Sequence, residues 1–516
     1  MQKDPEELII ALDIGTTALK TGLFSTKGNL LQLEEREQKL LFYENERVEQ
    51  SPYDTWQLIK NSIHSIVKQH DPRQIKAITV TVQRGTVVPI AADGKPLSDL
   101  VVWMDKRGIP YANMVNEKIG ERRYYQTTGH AISYITGSSK VFWFPYHGKD
   151  TWEKTAVIGT PQTLFLSWLG CDDMVCDHSS GTYHFPMNID TKLWSEEIAS
   201  ELNFPPEKLP KLVTALDVVG QLSPQAADEL GLEAGIALVA GGGDGQCAAA
   251  GCGVIQPGLC MINIGTATGV QAFLSSAIRN PGGLFTCAGH VVPDGWETEG
   301  HTQASGAVLR WFREQFGDAE SARAAAQGLD VYDLLINEAV KTAPGAEGLL
   351  FIPTFNGCTE PVIDPNARGV LLGLSLSHTR QHVIRAMLEG ISLEIKWMLE
   401  SLIASGVPVN ELRLVGGGSK NLHWNQIHAD ILQRPVRTIQ NPDAALVGAA
   451  MCAAVGLGAY GNLLEATDSF VQIKDDIEPR QAYASLYNGA YENYRKVFNT
   501  LRESAIFENI GKERDR

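Results

Sequence analysis

The chain has 516 residues, too many for one ordinary core, so two or more large domains are expected. Its 44% hydrophobic and 20% charged residues are those of an ordinary globular protein. A net charge of -16 argues against the basic face that nucleic-acid binding requires, and no nucleic-acid partner is expected.

The opening MQKDPEELII is acidic and has no cationic flank before a long apolar run. No apolar stretch approaches the ~18 residues that a membrane span needs. No membrane partner is expected, and the expected compartment is cytoplasmic. LIIALDI (8–14) and LKTGLFS (19–25) then read as strands joined by a tight turn at Gly15-Thr16-Thr17. A hairpin needs the glycine, but it does not need Asp13 at the end of a buried strand. TWQLIKNSIHSIVKQH (55–70) reads as an amphipathic helix, with Trp56, Ile59, Ile63 and Ile66 near helical spacing. IKAITVTV (75–82) returns to strand, and VVPIAADGKPL turns at Asp93-Gly94. The class is α/β.

Cys171 and Cys176, like Cys247 and Cys252, are five apart, which fits neither zinc nor redox spacing, so buried reduced thiols are expected. ALVAGGGDGQCAAAGCGV (237–254) runs from a strand into glycines, with Asp244 where a helix should start. Aspartate is favoured as a helix cap, and a capping acid at a cleft can also accept a proton; both roles stand. INIGTATGVQAFL (262–274) then repeats LDIGTTALKTGLF (12–24), with Asn263 for Asp13, Gly265 for Gly15 and Thr266 for Thr16. Two such copies, half a chain apart, point to two similar domains facing each other.

His378 and His382 lie in LSHTRQHVIRAMLEG without a third ligand, and read as a solvated helix start rather than a metal site. ELRLVGGGSKNLHWNQIHADIL (411–432) runs from strand through Gly416-Gly417-Gly418 into an amphipathic helix. Glycines there let the backbone approach a phosphate or a flat base, and a helix N-terminus favours an anion. There is no GxxxxGK[ST], and no GxGxxG in a Rossmann setting. The closing NIGKERDR reads as a frayed polar tail.

Taken together, these motifs resemble the FGGY carbohydrate kinases of the actin-like ATPase superfamily. GVLLGLSLSHTRQHVIRAMLE (369–389) is similar to the family's C-terminal signature. DIGTT, WMDKR (103–107), AGGGDGQ (240–246), NIGT, ASGAVLRWF (304–312), DPNARG (364–369), GGGSKN (416–421) and DAALVGAA (443–450) follow in the family's order. The resemblance implies two RNase H-like domains, 1–254 for sugar and 255–516 for nucleotide, with the active site in the cleft between them. It implies transfer of the γ-phosphoryl group of ATP to a hydroxyl of a sugar such as xylulose, with Mg²⁺. Gluconate, glycerol or another polyol, and a hydroxylated signalling molecule are the alternative acceptors. Family members are often dimers, so a homodimer is a candidate assembly.

Residue by residue, Asp244 matches the catalytic base and Asp13 the acid that orients Mg²⁺, usually through water. Thr16, Thr17 and Lys20 match the first phosphate loop, and Gly265 and Thr266 the second. Gly306, Gly417, Gly418 and Asn421 match positions around the nucleotide. Lys20 could return along the second strand to the phosphates, or simply face solvent.

For the sugar, Gln83, Arg84, Trp103, Asp105, Asp244 and Gln246 are the candidates. Trp103, Asp105 and Arg107 match a Trp-x-Asp-x-Arg segment near the acceptor; the plain alternative is a strand-end aromatic beside a local ion pair. Arg84 is a donor with no acceptor capacity, which suits hydroxyl oxygens or a carboxylate. In ITGSSKVFWFPYH (135–147) only Lys140 and Trp143 match the family's N-terminal signature. An actin-like chaperone ATPase and a catalytically dead sugar sensor are the rival readings. Neither explains both the sugar-kinase segments and the retention of Asp13 with Asp244.

Overall fold

The computed structural model describes residues 6–280 and 282–514. The first apolar run forms strand β1 (Leu8–Ile14), buried along nearly all its length, as a central strand covered on both faces must be. It turns back into β2 (Ala18–Ser25), and this register sets Asp13 opposite Lys20. β3 (Leu30–Glu37) alternates half-buried and exposed residues and lies at the sheet edge. β4 (Ile75–Val82) pairs parallel with β1 on the other side. β5 (Val218–Gln221) and β6 (Ala237–Val239) complete a six-stranded sheet in the order β5-β6-β4-β1-β2-β3.

A second sheet has seven strands: β7 (Gly258–Ile264), β8 (Thr268–Leu274), β9 (Thr286–Gly289), β10 (Trp296–His301), β11 (Val409–Val415), β12 (Val436–Ile439) and β13 (Ile473–Ile477). Their order is β9-β10-β8-β7-β11-β12-β13. Strand for strand, β3, β2, β1, β4, β6 and β5 correspond to β10, β8, β7, β11, β12 and β13. Each neighbouring pair has the same parallel or antiparallel sense in both sheets. The Gly-Thr repeat is therefore one visible trace of a duplicated fold.

The helices that bear on the site are α1 (Pro52–Val67), α2 (Asp244–Gly251), α3 (Gly306–Phe316), α4 (Val331–Ala339), α5 (Arg380–Ala404), α6 (Leu422–Leu432) and α7 (Ala444–Gly456). α1 starts three residues before the expected Thr55, because Ser51 caps it by accepting from Asp54 N and Pro52 suits the first turn. α2 follows β6 and α7 follows β12, so they are equivalent elements of the two halves. They cross in contact: a Cβ on Gly251 would collide with Ala444 O, and one on Gly448 with Cys247 O. Side chains of α7, among them Leu446, Val447, Ala450 and Met451, cluster with Ile9 and Ala11 of β1. The halves thus meet through a small-residue helix crossing rather than a flexible linker.

All eight cysteines are buried free thiols. His382 joins Thr379 in a capping box at the start of α5, and the described residues hold no cluster of three or more metal-ligating side chains. Among the described residues, no helix is long and apolar enough to cross a membrane. The closing NIGKERDR, expected as a frayed tail, is helical as far as the described residues go, as the end of a helix, Ile506–Arg514, whose Phe507 docks in the core of the second half; residues 1–5 and 515–516 lie outside the described residues.

Candidate active site

Two neighbouring cavities matter here, one walled by the second half and one by residues of both halves. One, of about 450 Å³, is lined by Gly265, Thr266, Gly306, Gly417, Gly418 and Asn421, together with Asp333 and Trp424. All six residues expected around the nucleotide from the second half therefore meet in one place. α3 begins under the second hairpin turn, where Gly306 N donates to Gly265 O and Ala307 N to Thr266 O at 3.0 Å each. Any side chain at Gly306 would strike Gly265 O, so only glycine allows this approach. Asn421 caps α6, its Oδ1 accepting from His423 N, while its Nδ2 donates to Asp333 at 2.5 Å.

The second cavity, of about 390 Å³, holds Asp13, Lys20, Arg84, Asp244, His301 and Asp443. Gly265 borders both cavities, so they meet at the second turn. Asp244 is the first residue of α2 rather than its cap, which is Gly243, and its side chain is 41% exposed. The enclosing walls raise its carboxyl above the ordinary range, against the pull of Arg84. Burial lifts Asp13 to about 7, with the neighbouring Asp244 and Asp443 adding to the rise and Lys20 opposing it. Lys20 Nζ sits 2.6 Å from Asp443 Oδ1 and so is not a free surface lysine.

Asp13 and Asp244 are carboxylates that repel each other in one cavity, and hard oxygen donors of this kind suit a divalent cation. Among the described residues no three ligating side chains cluster, so a cation held here would keep several waters.

Arg84 is the most engaged side chain here. Its Nε donates to Asp244 Oδ1 at 3.2 Å, its Nη1 donates to Glu299 Oε2 at 3.0 Å, and the guanidinium lies 4.4 Å from the Tyr183 ring centre. Gln271 Nε2 donates to Glu299 at 2.9 Å, and the Tyr183 hydroxyl also donates to it. Burial alone would raise Glu299, yet Arg84, His301 and these two donors hold it at about 2. Glu297, buried beside it, is pushed well up by burial and by Glu299. Lys140 is fully buried; its ammonium donates to Tyr134 O at 2.6 Å, Ile135 O at 2.7 Å and Gly85 O at 3.3 Å, tying down the loop that presents Arg84.

Four expected acceptor contacts are placed otherwise. Asp105 is fully buried, and its oxygens are taken by Arg107 and by Val48 N. The local ion pair, the plainer reading of Trp-x-Asp-x-Arg, is what forms. Gln246 is fully buried and donates to Glu297 at 2.6 Å. Gln83 is buried, accepting from Thr16 Oγ1 at 2.7 Å and donating to Gln50 at 2.8 Å. Trp103 Nε1 donates to the same Thr16 hydroxyl at 3.0 Å. Thr16 is thus held by a side-chain string, and neither it nor Thr17 lines the two cavities.

Residues 8–251 match the N-terminal domain, and residues 260–457 the C-terminal domain, of the FGGY family of carbohydrate kinases. The chain belongs to this family. It is a sugar phosphotransferase with the family's two domains in order. The gluconokinase of Bacillus subtilis (strain 168) is 28% identical to this FGGY kinase over 505 residues, covering 97% of this chain and 96% of that one. The xylulose kinase of the same strain is 27% identical over 497 residues, covering 96% and 97%. Solved structures with the same fold include xylulose kinase from Rhodospirillum rubrum, with TM-score 0.88 and 24% identity over 97% of this chain and 100% of that one. Gluconate kinase from Lactobacillus acidophilus also has TM-score 0.88, with 21% identity over 96% and 98%.

Glu297, Glu299, Tyr183, His301 and Asp443 were not singled out from sequence. WETEGH carried a usable signal for three of them. Residues 297, 299 and 301 share one face of a strand, and two acids facing one way from a central strand need a buried partner.

Proposed function

We propose that this FGGY kinase transfers the γ-phosphoryl group of ATP to a hydroxyl of a ketose such as xylulose, held between a sugar domain, 1–254, and a nucleotide domain, 255–516. The observation that carries the reading is Asp244, a partly exposed carboxylate in a cavity that meets the glycine-walled cavity at Gly265.

Phosphoryl transfer depends on positioning and charge neutralisation more than on covalent help. Asp244 accepts the proton of the acceptor hydroxyl as its oxygen bonds to the γ-phosphorus and the bond to the β,γ-bridging oxygen breaks, releasing ADP. Lys20, reached from the first hairpin, offers positive charge on the phosphate side, and the amides of the Gly265 turn offer N–H groups. Mg²⁺, when bound, supplies further neutralisation of phosphate charge, and Asp13 would orient it through its waters. Closing the two halves excludes water that would otherwise hydrolyse ATP.

A gluconate acceptor is the second reading, favoured by the gluconokinase relatives. The experiment is a panel of pentuloses, hexuloses, polyols and sugar acids with ATP and Mg²⁺, reading ADP. ADP release that depends on a ketose is expected. ATP turnover indifferent to every sugar yet raised by a protein would overturn the reading in favour of a chaperone ATPase.

A further inference from the structure

The acceptor cavity has two cations on its wall, and both are already paired. Lys20 is held by Asp443 at 2.6 Å, and Arg84 by Glu299 at 3.0 Å and Asp244 at 3.2 Å. Asp244 belongs to the chemistry, but Glu299 has no task in phosphoryl transfer. Its side chain is 3% exposed, and it cannot swing away, because Tyr183 and Gln271 both donate to it while the Tyr183 ring backs the guanidinium it binds.

A carboxylate on the acceptor would meet a guanidinium whose charge Glu299 and Asp244 already neutralise, so Arg84 offers it N–H groups but little net attraction. A sugar hydroxyl needs only the edge of the guanidinium that faces the cavity and leaves the pair intact. Lys20 and Arg84 are the lysine and arginine of the cavity wall, and with Asp443 on one and Glu299 on the other neither is left unpaired for an acidic acceptor.

We propose that Glu299 sets the acceptor class of this enzyme: by holding Arg84 it reserves the cavity for uncharged polyhydroxylated sugars and turns sugar acids away. The inference rests on the kinase reading above. Glu299 acts through Arg84 and is a specificity-determining residue, not a catalytic one.

The test compares kcat/KM for gluconate with that for the best neutral sugar of the panel, in wild type, Glu299→Gln and Glu299→Asp. Wild type prefers the neutral sugar; E299Q shifts the ratio toward gluconate by about tenfold or more, mainly through KM for gluconate; E299D restores the wild-type ratio. A merely structural role would lower both substrates together and leave the ratio unmoved, which overturns the proposal. If E299Q does not fold, calorimetric titration of wild type with each sugar, beside a non-hydrolysable ATP analogue, still decides: tighter binding of gluconate overturns the proposal. Wild type that phosphorylates gluconate best overturns this inference and leaves the kinase reading standing. Wild type that phosphorylates no sugar overturns both.

Discussion

Lys20 and Asp443 join the two halves across the cleft. The lysine comes from the second strand of the first hairpin, the aspartate from the cap position of α7, and Nζ lies 2.6 Å from Oδ1. Strand register also sets Lys20 opposite Asp13. One cation therefore faces Asp13 of its own half and an acid of the other. Replacing it removes positive charge from the phosphate side. Lys20→Ala lowers kcat about 100-fold and raises KM for ATP, whereas Asp443→Asn, which keeps the cation, costs far less. Steady-state kinetics with varied ATP check this, and equal losses in both variants would contradict it.

Asp13 bears on the metal dependence. Its carboxyl stands at about 7 because burial and two neighbouring acids oppose its charge, and a divalent cation relieves that opposition. Asp13→Asn raises the Mg²⁺ concentration needed for half-maximal rate by about tenfold or more. An unchanged Mg²⁺ titration would count against the assignment.

Away from the cleft, Glu394 on α5 is 2% exposed, and its Oε2 has no hydrogen-bond partner among the described residues. Burial, with the nearby Glu360 adding, pushes it up to about 8 from an ordinary 4.5. Between these values the folded state keeps a proton that the unfolded chain releases. This contribution to stability is full below about pH 4.5 and is lost as pH rises toward 8, by at most about 1.4 kcal/mol per pH unit. Denaturant unfolding from pH 5 to 8 should show the decline, and Glu394→Gln should flatten it. Parallel pH profiles in the two proteins would refute the assignment.

The legible parts of the molecule are those where local chemistry repeats. DIGTT and NIGT announced paired hairpins because glycine and threonine at a strand turn mean the same in both halves. The glycine runs announced close backbone approaches, and six of the residues expected near the nucleotide line one cavity. Acceptor-side residues were harder, since a side chain's use depends on partners far away in sequence. Asp105 is consumed by Arg107 two residues on, which a short ion-pair reading anticipated, but Gln246 is consumed by Glu297 across the cleft. The partner that Glu299 needs, Arg84, lies 215 residues earlier and is identified only once the fold brings it there.

The crossing of α2 and α7 sets how the halves meet. A methyl on Gly251 has no room beside Ala444 O and must push the helices apart. Gly251→Ala costs about 1–3 kcal/mol from overpacking, although alanine is the better helix former. Urea unfolding checks this; an unchanged or higher midpoint would show that the crossing is looser than described.

The central claim is that Asp244 takes the proton from the acceptor. Its most direct test is a pair of measurements on Asp244→Asn: the single-turnover rate of sugar phosphorylation at saturating ATP, and the affinity for a non-hydrolysable ATP analogue. The account predicts a rate at least about 10²–10⁴-fold lower with analogue affinity unchanged. A variant that phosphorylates sugar at near wild-type rate would contradict it.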